Sequence, residues 1–211
     1  MTRGRFITLE GGEGAGKSTL ARGLASALCE RGVETVITRE PGGTANAEAL
    51  RALLVEGEPG RWSPLAETLL LYAAREDHVR TLIEPALSRG AWVICDRFSD
   101  STRAYQGAAG GLAPERIEAI HRATLDAFAP DLTLILDLDP AAGLERTRRR
   151  GEDATRFERQ PNRFHDALRQ AFLTIAAAEP ERCGVIDAAQ DSETLLRQAL
   201  NLVDRRLGEP T

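Results

Sequence analysis

The segment Gly11-Gly-Glu-Gly-Ala-Gly16-Lys17-Ser18 satisfies the phosphate-loop pattern GxxxxGK[ST] at every position. Its four glycines let the backbone turn tightly and aim N–H groups at phosphate oxygens. A helix opening at Lys17 would add its positive N-terminal end. Gly11, Gly12, Glu13, Gly14, Ala15, Gly16, Lys17, Ser18 and Thr19 are therefore the expected cradle for a nucleoside triphosphate. Lys17 would reach the β- and γ-phosphates and Ser18 would ligate Mg²⁺. Lys17 is also the sole lysine, since 26 of the 27 basic side chains are arginine. A bias towards arginine accounts for the surface. Under that bias, lysine persists where a compact ammonium serves and a wide planar guanidinium does not.

A second constellation, Cys95-Asp96-Arg97, closes an apolar run. Asp96 at the carboxyl end of a strand would face the crevice where parallel sheets bind ligands. It either holds the Mg²⁺ shell or forms a structural pair with Arg97. A GTPase would need an Asn-Lys-x-Asp guanine motif, which a chain with one lysine cannot contain. A water-activating ATPase would place glutamate after the aspartate. Arg97 stands there instead, which favours a second anionic substrate over hydrolysis.

These residues must be positioned by a βα alternation, because short apolar runs alternate with longer segments of helical period. Strands are expected at Phe6–Leu9, Val33–Thr38, Ala91–Cys95, Leu132–Leu138 and Gly184–Asp187. Helices are expected at Lys17–Arg31, Ala45–Val55, Pro64–Arg89, Pro114–Phe128, Ala141–Arg150, Asn162–Ala178 and Ser192–Leu207. That pattern gives an α/β class, a parallel sheet covered by helices. Gly57–Gly60 and Gly107–Gly111 read as loops. Residues 148–161 are dense in charge and poor in apolar side chains, which suits a mobile lid.

Composition narrows the class. At 211 residues, the length fits one domain, 1–211, with the lid inside it. A net charge of −5 excludes broad electrostatic binding to nucleic acid or anionic membrane. The longest apolar runs are far short of a membrane span, and no signal segment precedes the first strand, so a cytoplasmic location is expected. Cys29, Cys95 and Cys183 are widely spaced and read as buried free thiols.

The residues then converge on a known family. Phe6-Ile-Thr-Leu-Glu-Gly-Gly-Glu-Gly-Ala-Gly-Lys-Ser-Thr19, Thr38-Arg-Glu-Pro-Gly-Gly-Thr44, Tyr72-Ala-Ala-Arg75, Asp96-Arg-Phe98 with Ser101 and Ala104-Tyr-Gln-Gly107, and Arg156-Phe-Glu158 together resemble bacterial thymidylate kinases. The resemblance covers nearly the whole chain. It implies the P-loop NTPase fold, with a five-stranded parallel sheet wrapped by helices and a short mobile lid, usually in a homodimer. The implied reaction moves the γ-phosphoryl group of ATP onto dTMP, giving dTDP and ADP, with Mg²⁺.

Residue by residue, the resemblance puts Glu13 near the acceptor sugar. Arg39, Pro41, Arg51 and Arg97 fall around the acceptor phosphate and its pocket. Arg75, Ser101, Thr102 and Gln106 match positions near the thymine, and Tyr105 matches a tyrosine that crowds the sugar's 2′ position. Arg156 matches a lid arginine laid over the transferring phosphate, so Lys17, Arg97, Arg156 and Glu13 are the expected catalytic set. The adenine contacts match no sharp motif and are expected at Arg149 and the loop after Asp187. Two positions depart from the family: Thr155 replaces the aspartate before the lid arginine, and Leu71 stands where a base-stacking aromatic is usual. Either Tyr72 takes that role or Leu71 forms an apolar floor. Rival readings are a kinase for another nucleoside monophosphate and a nucleotide-dependent switch or ATPase.

Physics supports a cluster of this kind. An acidic protein joining two polyanions needs local fixed guanidinium groups, whose forks suit bidentate phosphate contacts. Phosphoryl transfer asks chiefly for positioning and charge stabilisation.

Overall fold

In a computed structural model, residues 3–149 and 155–208 are described. Five parallel strands form one sheet: β1 (Phe6–Gly11), β2 (Thr35–Arg39), β3 (Trp92–Asp96), β4 (Leu132–Asp137) and β5 (Cys183–Asp187). Their order across the sheet is β2-β3-β1-β4-β5. β1 is buried along its whole length, as befits a central strand covered on both faces, and its two polar side chains, Thr8 and Glu10, are buried with hydrogen-bond partners. Register pairs Leu9 with Asp96 and Gly11 with Leu136, which brings the carboxyl ends of β1, β3 and β4 to one edge.

The helices are α1 (Lys17–Glu30), α2 (Ala45–Val55), α3 (Pro64–His78), α4 (Glu84–Ser88), α5 (Ser99–Thr102), α6 (Pro114–Leu125), α7 (Pro140–Arg149), α8 (Asn162–Ala178) and α9 (Ser192–Leu207). α1 and α9 pack Leu24, Leu28 and Val203 against Ile94 and Leu134 on one face. The opposite face buries Phe6, Ile83, Val93 and Phe98 beneath α3, α4 and α6, while Phe172 and Ile175 of α8 meet Ile135 and Tyr105. Among the described residues, no helix is long and apolar enough to cross a membrane.

Three sequence expectations change. The helix over 64–89 is interrupted by a π turn at Val79–Ile83, where the Glu84 N–H reaches back five residues to Val79. Pro85 follows and has no N–H to donate, so the ladder is broken there in any case. Of the loop expected over Gly107–Gly111, the first three residues are helical, because a π turn spans Arg103–Ala109 and packs on α8, while Gly110 and Gly111 form the turn that follows. Cys95 and Cys183 are buried, but Cys29 is exposed, because Leu28 takes the inward position on α1 and the next residue points away. Within the expected lid, residues 150–154 lie outside the described residues, and Arg150 with them.

Two details hold this edge in place. Gly14 and Gly143 touch backbone to backbone: a Cβ on Gly143 would lie 2.2 Å from the Glu13 carbonyl oxygen. The phosphate loop therefore rests directly on α7. Glu10, fully buried in β1, accepts hydrogen bonds from Phe98 N–H (2.8 Å), Ser101 N–H (3.1 Å) and Ser101 Oγ (2.6 Å). It thereby fixes the turn that follows β3. Burial, with Asp100 adding to it, pushes the Glu10 carboxyl up to about 7.

Gly143→Ala must separate two backbones, so it should cost about 1–3 kcal/mol of unfolding free energy in urea titrations and raise KM for the nucleotide held by the loop. A pH series examines Glu10. Its proton is retained by the folded chain where the unfolded chain has lost it, so this stabilisation is complete below about pH 4.5 and disappears as pH rises through about 7. Between those limits the wild type should lose about 1–3 kcal/mol relative to Glu10→Gln, whose side chain does not titrate. Parallel stability curves for the two proteins would contradict that assignment.

Candidate active site

β1 delivers the chain into the phosphate loop. Gly11, Gly14 and Gly16 have φ of 132°, 68° and 93°, in the region open to glycine. Gly16 ends the loop and α1 begins at Lys17, with Leu20 N–H closing on the Gly16 carbonyl at 3.0 Å. The buried Lys17 Nζ donates to the Gly11 and Gly12 carbonyls at 3.1 and 2.8 Å. Burial, and then the nearby Arg97, push its pKa down. Ser18 Oγ donates to Asp96 Oδ2 at 2.7 Å, so a loop hydroxyl and a strand-end carboxylate share one point. Their hard oxygens suit Mg²⁺, which takes few protein ligands alongside phosphate and water.

Arg97 has φ of 74°, left-handed for a non-glycine residue. The surrounding bonds hold this conformation, which costs about 1–2 kcal/mol. Its backbone N–H donates to Leu9 O at 2.9 Å, and its guanidinium turns back towards the loop. There it donates to Gly11 O (3.0 Å), Ser101 Oγ (3.2 Å) and Glu13 Oε1 (3.0 Å). Glu13 Oε1 also accepts from the Tyr105 hydroxyl at 2.6 Å. Burial alone would raise the Glu13 pKa, but Arg97 and Lys17 outweigh it and hold the carboxyl at about 2. Arg97 is thus tied to Glu13, and Asp96 to Ser18. The structural Asp96–Arg97 pair does not form.

Two cavities meet here. The outer one is lined by Gly14 to Thr19 of the loop, with Arg39, Arg51, Asp96, Arg97 and Arg146. The inner one lies over Pro41, Leu71, Arg75, Phe98, Thr102 and Gln106. Glu13, Glu40, Arg51, Arg97 and Thr155 line both. Arg51 is held by a bond from Nη1 to the Pro41 carbonyl at 2.7 Å, and Arg39 pairs with Glu48 at 3.2 Å. Two cations, Arg51 and Arg97, therefore stand where the cavities join.

The inner cavity is built on α3 and the turns after β3. Arg75 is buried, with its guanidinium 4.5 Å from the Tyr72 ring and 5.1 Å from the Phe98 ring. Its Nε donates to Glu40 Oε2 at 2.7 Å, and one Nη donates to Phe98 O and Thr102 Oγ1, each at 3.1 Å. The other, Nη1, has no partner. Gln106 donates from Nε2 to Glu67 Oε1 at 2.5 Å, leaving its Oε1 without a partner. One unpaired buried donor and one unpaired buried acceptor, on residues that line the same cavity, are costly unless a ligand completes them.

Most of the expected residues come together: the loop from Gly11 to Thr19, Arg39, Pro41, Arg51, Arg75, Asp96, Arg97, Ser101, Thr102, Tyr105 and Gln106. Two do not take the expected places. Tyr72 faces away from the inner cavity, where its hydroxyl lies 3.2 Å from His121 Nδ1, and Leu71 lines the cavity instead. One residue along a helix turns the side chain by about 100°, so only one of the pair can face inward. Arg156 is buried behind the inner cavity rather than over the phosphate loop. It donates to Leu54 O at 3.1 and 2.8 Å and to Glu67 Oε2 at 2.6 Å. Arg146 lines the outer cavity, anchored by a 3.0 Å bond to Ala188 O. Arg149 is exposed and pairs with Glu145.

Sequence reasoning missed Glu10, Glu40, Glu67 and Arg146. Glu10 and Glu40 lie inside the family-like segments Phe6–Thr19 and Thr38–Thr44. Glu67 shares the α3 face of Leu71 and Arg75, at spacings of four and eight residues.

Comparison with known proteins agrees with this geometry. A sequence model of the family described as thymidylate kinase matches residues 9–199. The thymidylate kinase of Caulobacter vibrioides is 51% identical over 99% of this chain and 100% of its own. That of Afipia carboxidovorans is 52% identical over 97% and 91%. The crystal structure of thymidylate kinase from Ehrlichia chaffeensis superposes with a TM-score of 0.76 at 33% identity, covering 95% of this chain and 99% of that one. With half its residues shared across nearly whole lengths and a phosphate loop beside an arginine-lined inner cavity, the chain belongs to the thymidylate kinase family.

Proposed function

We propose that this chain transfers the γ-phosphoryl group of ATP to dTMP, giving dTDP and ADP. The observation that carries the reading is the junction of two cavities at Arg51 and Arg97. A triphosphate cradle lies on one side. On the other, an unpaired donor and an unpaired acceptor wait on the walls of a partly apolar pocket.

The triphosphate takes the outer cavity, with loop N–H groups and Lys17 Nζ on its phosphates. Ser18 and Asp96 would hold Mg²⁺, which when bound neutralises charge on the phosphate oxygens. The acceptor phosphate takes the junction, where the forked guanidinium groups of Arg51 and Arg97, aided by Arg39, orient it. One of its oxygens bonds to the γ-phosphorus as the bond from that phosphorus to the β-bridging oxygen breaks, and ADP carries away the electron pair. The acceptor oxygen is already ionised, so no strong base is required. Glu13, held ionised by its cationic neighbours, keeps Arg97 aimed across the junction.

In the inner cavity, Arg75 Nη1 can donate to a ring carbonyl and Gln106 Oε1 can accept from the adjacent ring N–H. Thymine presents that keto-imide edge, whereas cytosine presents the reverse polarity. Leu71, Pro41 and Phe98 supply an apolar wall for the rest of the base, Tyr105 sits over the sugar beside Glu13, and Thr155 and Phe157 close the rim. A homodimer, cytoplasmic residence and adenine contacts near Arg149 and the loop after Asp187 belong to the same reading.

ADP release measured with each nucleoside monophosphate tests the proposal. dTMP should be turned over fastest. dUMP, lacking one methyl group worth about 1–3 kcal/mol, should retain a kcat/KM lower by roughly 10–200-fold. ADP release indifferent to acceptor would overturn the proposal. Lys17→Arg should lower kcat by about 100-fold or more, because a guanidinium cannot occupy the narrow space between loop carbonyls and phosphates. Near-normal turnover would remove Lys17 from the donor site.

A further inference from the structure

Glu67 lies behind the inner cavity and touches neither substrate position, yet its two carboxylate oxygens have separate tasks. Oε1 accepts from the Gln106 amide at 2.5 Å and Oε2 accepts from Arg156 at 2.6 Å. All three side chains are at least nine-tenths buried, at 6%, 3% and 2% exposure. Arg156 is fixed in turn by the Leu54 carbonyl at the end of α2, by the Phe157 ring 4.6 Å away and by a 3.4 Å bond from its own N–H to Val55 O. A chain of contacts thus runs from the turn after residue 154, through Glu67, to the residue whose acceptor oxygen is unpaired.

A primary amide has two faces that differ in polarity, and a carboxylate can only accept. Glu67 therefore compels Gln106 to present its NH₂ inward and leaves Oε1 as the free end. Were the amide reversed, the cavity would carry two donors and would no longer match a keto-imide edge. We propose that Glu67 is a positioning residue that sets base preference by fixing the orientation of the Gln106 amide, and that Arg156 serves this function by holding Glu67. The inference rests on the reading of dTMP as acceptor.

Glu67→Gln separates this from a purely structural role. The replacement must offer its carbonyl to the anchored Arg156, so its NH₂ meets Gln106 and turns that amide over. KM for dTMP should rise about 10–100-fold with kcat held within a few-fold. The ratio of kcat/KM for dTMP over dCMP should fall by about 10-fold or more, because a site built to pair a ring N–H loses that discrimination. Affinity for a non-hydrolysable ATP analogue should not change. Arg156→Met, which leaves Glu67 without its anchor, should shift KM and the base ratio in the same direction. A wild type with no preference for dTMP would overturn the acceptor assignment and this inference together. A wild type that prefers dTMP, with an unaltered ratio in Glu67→Gln or a fall in kcat alone in Arg156→Met, would overturn only the inference.

Discussion

Three guanidinium groups around the inner cavity are each aimed by a carboxylate, and this constraint organises the site, while Arg51 is held by the Pro41 carbonyl. Glu13 holds Arg97, Glu40 holds Arg75 and Glu67 holds Arg156, at 3.0, 2.7 and 2.6 Å. Two anionic substrates cannot be joined without cations, yet a free arginine adapts to whatever it meets. Fixing it against a buried carboxylate converts a flexible charge into a pre-oriented one, and the cost of burying both ions is offset only where the geometry is good. The pairs also leave selected N–H groups unpaired. Arg75 spends Nε and one Nη on protein partners, and the remaining Nη1 is what a ligand can read.

The sheet explains why three such pairs can be set so closely. Parallel strands deliver their carboxyl ends to one edge, and the register places Leu9 beside Asp96 and Arg39 beside Asp96 across β1, β3 and β2. Glu10 at the end of β1 then reaches Ser101 and Phe98, while the left-handed Arg97 turns its side chain back over the loop that follows β1. The loop's own carbonyls receive both Lys17 and Arg97, so donor and acceptor cations share Gly11 as a common support.

Much of this was legible in the sequence, for identifiable reasons. The phosphate loop is local: glycines, lysine and serine act within one turn, so spacing alone describes the geometry. Helices at Ala45–Val55, Asn162–Ala178 and Ser192–Leu207 fall where apolar period and flanking residues placed them, because burial of one face sets both. What failed is what depends on contacts between distant segments. Whether Leu71 or Tyr72 lines the inner cavity is decided with His121 on α6, which gives the tyrosine hydroxyl a partner outside it. Arg156 lies where it does because Glu67 and the Leu54 carbonyl, about 90 and 100 residues earlier, offer acceptors that no local pattern announces. Glu67 itself reads as an ordinary charged residue in the first turn of a helix.

The solitary lysine can now be understood against the same arrangement. Lys17 Nζ lies between two loop carbonyls, with Arg97 near enough that burial and this second cation both lower its pKa. A guanidinium is wider, demands more acceptors in one plane and would compete with Arg97 for the Gly11 oxygen. An ammonium needs only points, and its three N–H donors can be divided between the loop and a phosphate. In the function proposed above, arginine serves where a plane is to be recognised, at the acceptor phosphate and the base. Lysine serves at the one position where charge must fit inside a turn of backbone.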